Sequence, residues 1–276
     1  MVDDCRSQVV GGLTAGLQIW ESAVIPMLLN NSDTWQDISS KTLKKLENLQ
    51  LSFVRCLLGV GTGCPTPYLY SETGILLMEL RILQRKLMFL HHIHNLPETS
   101  LAREILTVQS QLDLPGLELE CRESLRTFGL QDLSLFSKQQ FKRLVKVKIN
   151  ELNRFKIIEL ADSRNYKKID LDKFACDNFG LKKYFHTLNV PDARLRFEIT
   201  SHMTPSVKMN FQSDRLYTKK LWAFEGCIGE SDVGLRYTQH HILICEAYAD
   251  YRTGKDFSND KDLVDYYREV LKHRTE

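Results

Sequence analysis

The 276-residue sequence contains none of the short motifs that mark common enzyme classes. It has no GxSxG nucleophile elbow, no HExxH zinc helix, no phosphate-binding GK[ST] loop and no GxGxxG dinucleotide fingerprint. No set of carboxylates shows a catalytic spacing either. The sequence therefore does not indicate a serine hydrolase, a zinc peptidase, a P-loop NTPase or a nicotinamide-dependent oxidoreductase.

The sequence also lacks an apolar run long enough to span a bilayer. The stretch from Leu13 to Leu29 is rather apolar, but Gln18, Glu21 and Pro26 interrupt it. Residues 1–6 are acidic, and the apolar segment of a signal peptide does not follow them. We therefore expect an intracellular protein, nuclear or cytoplasmic, with no membrane partner.

Cysteine usage and net charge bear on two further classes, disulfide-stabilised proteins and nucleic-acid binders. The 7 cysteines are odd in number and scattered, which favours reduced thiols over a disulfide scaffold. The net charge of +2 is too small to indicate a nucleic-acid binder by itself. With 43% apolar and 26% charged residues, the chain has the composition of a globular protein with one large or two small domains.

Apolar residues recur at three- and four-residue spacing along most of the chain, which predicts a mainly α fold resembling a helical bundle. Residues 9–26 are apolar on all sides and predict a buried helix. Ala193 to Thr200 alternates and fits either a strand or a short helix. Further helices are expected at Ser39–Leu58, Leu69–Leu96 (with a possible start at Ser71), Ser100–Gln111, within Asp113–Phe136, within Asp170–Pro191, at Ser137–Phe155 and at Leu263–His273.

The segment from Ser137 to Phe155 predicts a basic amphipathic helix. Its apolar side comprises Phe141, Leu144, Val145, Ile149 and Leu152, and the other positions carry Lys138, Lys142, Arg143, Lys146, Lys148 and Arg154. Such a face is either simply solvated or contacts phosphates or an acidic partner. Residues 209–222 continue with cations and aromatic rings, which either stack on bases or serve as packing anchors: Phe211, Arg215, Tyr217, Lys219, Lys220 and Trp222.

A possible zinc site lies in residues 222–248. His241 and Cys245 are four residues apart, so one helical turn would place both on the same face, and Cys227 is a plausible third ligand. Structural zinc takes four ligands. A CxxC pair would require a cysteine at position 224, which is Phe224.

Four other patterns have simpler explanations. The loop GVGTGCPTP at 59–67 follows a helix, whereas phosphate loops open one, so we expect a helix C-cap and turn. The cluster His91, His92 and His94 indicates a half-buried helix end more than a metal site. The acidic residues at 256–262 indicate helix capping. The YADY sequence at 248–251 lacks the second carboxylate of a polymerase YxDD motif.

Several of these segments, taken in order, resemble the C-terminal part of non-LTR retrotransposon polyproteins. The resemblance lies in FEITSHMTPSVKMNF, then W(x)4C, then YTQHHILIC, then LVDYYREVLK, with matched positions Asn210, Phe211, Cys227, Thr238, Gln239, His241 and Cys245. Upstream, GGLTAGLQIWESAVIPMLL, LENLQLSFVRCLLGVGTGCP and ETGILLMELRILQRKLMFLHHIHNLP resemble the thumb and post-thumb linker of the same polyproteins.

The resemblance implies a thumb-like helical segment at 1–96, a helical linker with the basic helix at 97–200, and a zinc-knuckle-like module with a closing helix at 201–276. It further implies binding of template RNA or target DNA, and Zn²⁺ held by Cys227, His241 and Cys245. Two departures matter: the fingers and the catalytic palm are absent, and the first knuckle cysteine is replaced by Phe224. We therefore expect a non-catalytic fragment whose natural start lies upstream.

Two alternatives remain. In the first, the chain is an all-helical interaction or scaffold protein without metal, and its cysteines and histidines are core residues. In the second, it is a metal-dependent nuclease, which would require a cluster of carboxylates and lysines around Asp250 or Asp262 that the sequence does not present as a motif.

Overall fold

The computed structural model describes residues 12–163, 179–201 and 253–273, and in these residues the secondary structure is helical, with no strand. The predicted mainly α fold is confirmed. The helices are α1 (Gly12–Ile19), α2 (Ile25–Leu28), α3 (Ser40–Leu58), α4 (Thr66–Thr73), α5 (Met78–His94), α6 (Leu101–Gln111), α7 (Leu117–Phe128), α8 (Lys138–Ser163), α9 (Tyr184–Thr187), α10 (Val190–Thr200) and α11 (Asp260–His273).

The described residues form two compact units. Unit 1 comprises residues 12–16, 54–72, 181–201 and 253–273, and unit 2 comprises residues 17–53, 73–163 and 179–180. None of the described helices is both long enough and apolar enough to cross a membrane.

Unit 2 is built around α5, which packs against α6, α7 and α8. Its main core joins residues from all four helices: Leu80, Leu87 and Leu90 of α5, Leu106 of α6, Cys121 and Leu125 of α7, and Phe141, Val145 and Ile149 of α8. A second cluster places Trp20 against Met78 and Ile82, with the Trp20 ring stacked on Phe53 at 4.4 Å between centroids. A π-helical turn at Trp20–Val24 separates α1 from α2 within the helix predicted for residues 9–26.

The prediction of a single long helix at Leu69–Leu96 is wrong. The chain forms two helices instead, because Gly74 adopts a left-handed φ of 69° that ends α4. Two distant side chains then cap α5: Glu47 accepts the Met78 N–H at 2.9 Å, and Asn153 accepts the Leu77 N–H at 3.1 Å. Burial raises the pKa of Glu47, and the hydrogen bonds from Met78 and Gln50 oppose that rise.

Unit 1 packs α10 against α11, with Ile199 contacting a cluster of Leu263, Tyr266, Tyr267 and Val270. The predicted closing helix and its cap are confirmed, since Asn259 Oδ1 accepts the Lys261 N–H at 3.0 Å. Residues 193–200, which fitted a strand or a helix, belong to α10. Asn189 caps that helix by accepting the Asp192 N–H at 3.0 Å.

Candidate nucleic-acid interface

Helix α8 has a capped start and one strictly periodic buried side. Ser137 and Gln140 form a capping box, in which Ser137 N–H donates to Gln140 Oε1 at 3.0 Å and Gln140 N–H donates to Ser137 Oγ at 3.4 Å. A buried row then recurs every four residues: Phe141, Val145, Ile149, Asn153, Ile157 and Ala161. This row anchors α8 in the core of unit 2, so the side chains beside it are held in fixed positions.

Next to this row lies an exposed group of cations, which we call the basic ridge: Lys138, Lys142, Arg143 and Lys146. Lys138, Lys142 and Lys146 are four residues apart, so they follow one line along the helix with about 6 Å of rise between neighbours. No carboxylate in the described residues forms an ion pair with any of the four cations. The ridge is therefore available to an external anion.

The remaining cations of α8 are engaged within unit 2. Lys148 is half-buried and pairs with Glu151 at 3.0 Å, and Lys156 pairs with Glu79 at 2.8 Å. The Arg154 guanidinium lies 5.5 Å from the centroid of the Phe179 ring. Of the four α8 residues predicted to bind nucleic acid, the structure thus places Lys142, Arg143 and Lys146 together on the open face and Lys148 in an ion pair on its flank. Lys138 joins them as the first residue of the helix.

The charges of α8 run against its helix dipole. A helix is stabilised by acidic residues in its first turn and basic residues in its last turn. In α8 the first turn has no acidic residue and the last turn has no basic one, while Lys138 begins the helix and Asp162 lies near its end. The cations at the start of α8 therefore do not stabilise the helix through its dipole.

Of the three histidines at the end of α5, His91 has a structural role. His91 is buried, its ring stacks on Phe141 at 4.4 Å between centroids, and its Nε2 lies 3.0 Å from the Phe136 carbonyl oxygen. No group of three or more metal-ligating side chains occurs in the described parts of the chain. His91 therefore fixes α5 against α8, in agreement with the interpretation as a half-buried helix end.

The glycine loop after α3 forms a helix C-cap. Gly59 adopts a φ of 68°, its N–H donates to the Cys56 carbonyl at 3.1 Å, and Val60 N–H donates to the Arg55 carbonyl at 3.0 Å. These two bonds close a Schellman motif. The expected C-cap is confirmed.

The buried Cys121 thiol has no nucleophilic character. It is fully buried in the core of unit 2, and burial raises its pKa to about 12. A thiol with so high a pKa carries almost no thiolate near neutral pH.

The other predicted site residues lie outside the described residues. They are Phe211, Arg215, Tyr217, Lys219, Lys220 and Trp222 of the proposed nucleic-acid surface, and Cys227, His241 and Cys245 of the proposed zinc site. Their assignments stay predictions from the sequence. Phe224 and the YADY sequence at 248–251 fall in the same part of the chain.

Comparison of the chain with protein-family models, with curated proteins and with solved structures finds no match.

Proposed function

We propose that this chain is an intracellular, nucleic-acid-binding C-terminal segment of a non-LTR retrotransposon reverse transcriptase, without polymerase activity. The basic ridge contacts phosphates, and the segment from Phe211 to Trp222 adds further cations together with rings that stack on bases. The supporting observation is the ridge itself: four neighbouring exposed cations with no ion-pair partner among the described residues. The order of motifs along the chain supports the relation to the retrotransposon polyproteins.

Phosphate binding by the ridge makes a quantitative prediction about salt. Each phosphate neutralised contributes about −0.7 for a single strand, or about −0.9 for a duplex, to the slope of log K against log salt. Replacing Lys142, Arg143 and Lys146 with glutamine should therefore make that slope shallower by about 2 to 3. Fluorescence anisotropy of a labelled RNA and a labelled DNA oligonucleotide, titrated with the full chain at several salt concentrations, measures the slope.

A matched control separates the ridge from net charge. Lys41, Lys44 and Lys45 are exposed lysines on α3 in the same unit, and replacing them with glutamine removes the same charge. We expect this control to change the slope much less than the α8 triple variant. If the two triple variants weaken binding equally, the contact is not made by α8.

The zinc part of the proposal concerns Cys227, His241 and Cys245, with Phe224 at the fourth position. Zinc prefers four thiolate or imidazole ligands, so three ligands and a water hold it less tightly than a complete set. We expect Phe224→Cys to raise the zinc affinity of the purified chain, measured by competition with a chromophoric chelator. Unchanged affinity would show that the knuckle or its alignment is wrong.

The second candidate is a non-catalytic, all-helical interaction protein without metal. An exposed row of apolar side chains on α6 favours it, because contiguous apolar surface commonly marks a protein-binding site. In that case the purified chain would contain no stoichiometric zinc, and a chelator would leave its melting temperature unchanged.

A further inference from the structure

Helix α6 carries an apolar row on its outer face. Leu101, Ile105, Val108 and Leu112 are 68%, 47%, 44% and 64% exposed. Their spacing of four, three and four residues is that of a helix seam which packs against another helix. We call these four residues the α6 stripe. On its inner side the same helix is anchored in the core by Leu106.

A pocket adjoins the stripe at Ile105. It has a volume of about 250 Å³, and its apolar lining includes Trp35, Phe89, Ile93 and Leu117. Asp33 and Glu120 also line the pocket, and the Glu120 carboxylate pairs with Lys86. The pocket is therefore large enough for one or two apolar side chains of a partner, and the Asp33 carboxylate lies next to them.

The surface around the stripe is acidic. Residues 98–123 contain six carboxylates and two arginines. Both arginines are paired within the segment, Arg103 with Glu98 at 3.6 Å and Arg122 with Asp113 at 2.8 Å. The carboxylates of Glu104 and Glu123 have no ion-pair partner among the described residues. An apolar stripe with acidic flanks is complementary to a basic amphipathic helix.

This chain itself carries such a helix. On the outer face of α8, Leu144 is 37% exposed and Val147 is 53% exposed, although the sequence pattern assigned Leu144 to the buried side. Five cations and no carboxylate occur in residues 138–148. Both the stripe and this face of α8 are exposed in the same chain, so α8 does not cover the stripe of its own molecule.

We propose that the α6 stripe and its pocket bind the outer face of α8 from a second copy of this chain, with Leu144 and Val147 against the stripe and the basic ridge against the acidic flanks. Because the two faces differ, one contact leaves a stripe unused on one copy and an α8 face unused on the other. These unused faces can bind further copies head to tail, or they can pair with each other in a reciprocal two-fold dimer. The surface is small compared with about 800 Å² per partner in a standard interface, so we expect dissociation constants on the order of 10 µM or weaker.

The test uses sedimentation velocity of the full chain without nucleic acid, over a range of protein and salt concentrations. One variant, Leu101→Lys with Leu112→Lys, disables the stripe and leaves α8 intact. The other, Leu144→Asp with Val147→Asp, disables α8 and leaves the stripe intact. The control, Met27→Lys with Leu135→Lys, changes two equally exposed apolar residues elsewhere in unit 2. Circular dichroism and melting temperature check that each variant is folded.

We expect the wild type and the control to self-associate as the protein concentration rises and to dissociate at high salt. Each interface variant alone should be monomeric. An equimolar mixture of the two should form a 1:1 dimer and nothing larger, since one intact stripe meets one intact α8. A monomeric wild type, a mixture that stays monomeric, or an α8 variant that still dimerises would each overturn the proposal.

Discussion

Within unit 2, the exposed surfaces of α8 and α6 differ in their charge. The start of α8 is basic and has no ion-pair partner among the described residues, whereas α6 and α7 carry acidic residues around an apolar stripe. Both regions are anchored by the same core beneath α5. In both helices, packing against the core requires apolar residues on the buried side. The exposed side is under no such requirement, so its residues can differ between α8 and α6. The two outer faces present different chemistry: exposed cations on α8, and exposed apolar side chains near carboxylates on α6.

The largest effect on stability is expected from truncating a side chain in the core that lies beneath both α6 and α8. Phe141 is fully buried, stacks on His91 and belongs to the core that also contains Leu106 and Leu125. Phe141→Ala should lower the free energy of unfolding by about 3 to 5 kcal/mol. Chemical denaturation measures it. Phe155→Ala is the control, since that ring is 63% exposed and its loss should cost less than about 0.5 kcal/mol.

A smaller effect is expected from a change on the acidic side alone. Glu120 pairs with Lys86, whose side chain is 9% exposed, and accepts the Asp37 N–H at 3.2 Å. Glu120→Gln leaves the Lys86 ammonium without a counter-charge, which should cost about 2 kcal/mol because a largely buried charge loses its partner. The matched variant Glu123→Gln alters a surface carboxylate and should be nearly neutral. Equal losses would show that the Lys86 pair contributes nothing specific.

The smallest effect is expected from a change in the basic ridge. This change should raise stability and weaken nucleic-acid binding. Lys138→Glu places an acid in the first turn of α8, which should raise the free energy of unfolding by about 0.3 to 1 kcal/mol through the helix dipole. The same variant should weaken RNA and DNA binding, since it reverses one charge of the ridge. Denaturant titration and anisotropy on one preparation measure both. Loss of stability together with binding would contradict the assignment.

The sequence was sufficient for helices whose apolar residues follow a regular period. Helices α3, α6 and α11 lie close to their predicted bounds, because a continuous buried row is a local feature. Helix α8 begins close to its predicted start, but it continues past the predicted end at Phe155 to Ser163. The break between α4 and α5 was missed. Gly74 was a local signal for the end of α4, but the groups that cap α5 belong to Glu47 and Asn153, far away in the sequence. Local periodicity carries no information about such distant partners.

The candidate site was predictable to a similar extent. The run of cations in residues 138–154 identified α8, but only the structure separates the open ridge from Lys148 and Lys156, which pair with Glu151 and Glu79. Leu144 was assigned to the wrong side, because a row recurring every four residues drifts around the helix and the packing partner decides where it is buried. The spacing of Leu101, Ile105, Val108 and Leu112 was a signal for the stripe that the sequence already contained.

The most direct measurement of the central claim is the salt dependence of RNA and DNA binding by two triple variants of the full chain. Replacing Lys142, Arg143 and Lys146 with glutamine should weaken binding and make the slope of log K against log salt shallower by about 2 to 3. Replacing Lys41, Lys44 and Lys45 with glutamine should leave the slope nearly unchanged. Equal slopes for wild type and both variants, or no salt-dependent binding by the wild type, would contradict a nucleic-acid interface on α8.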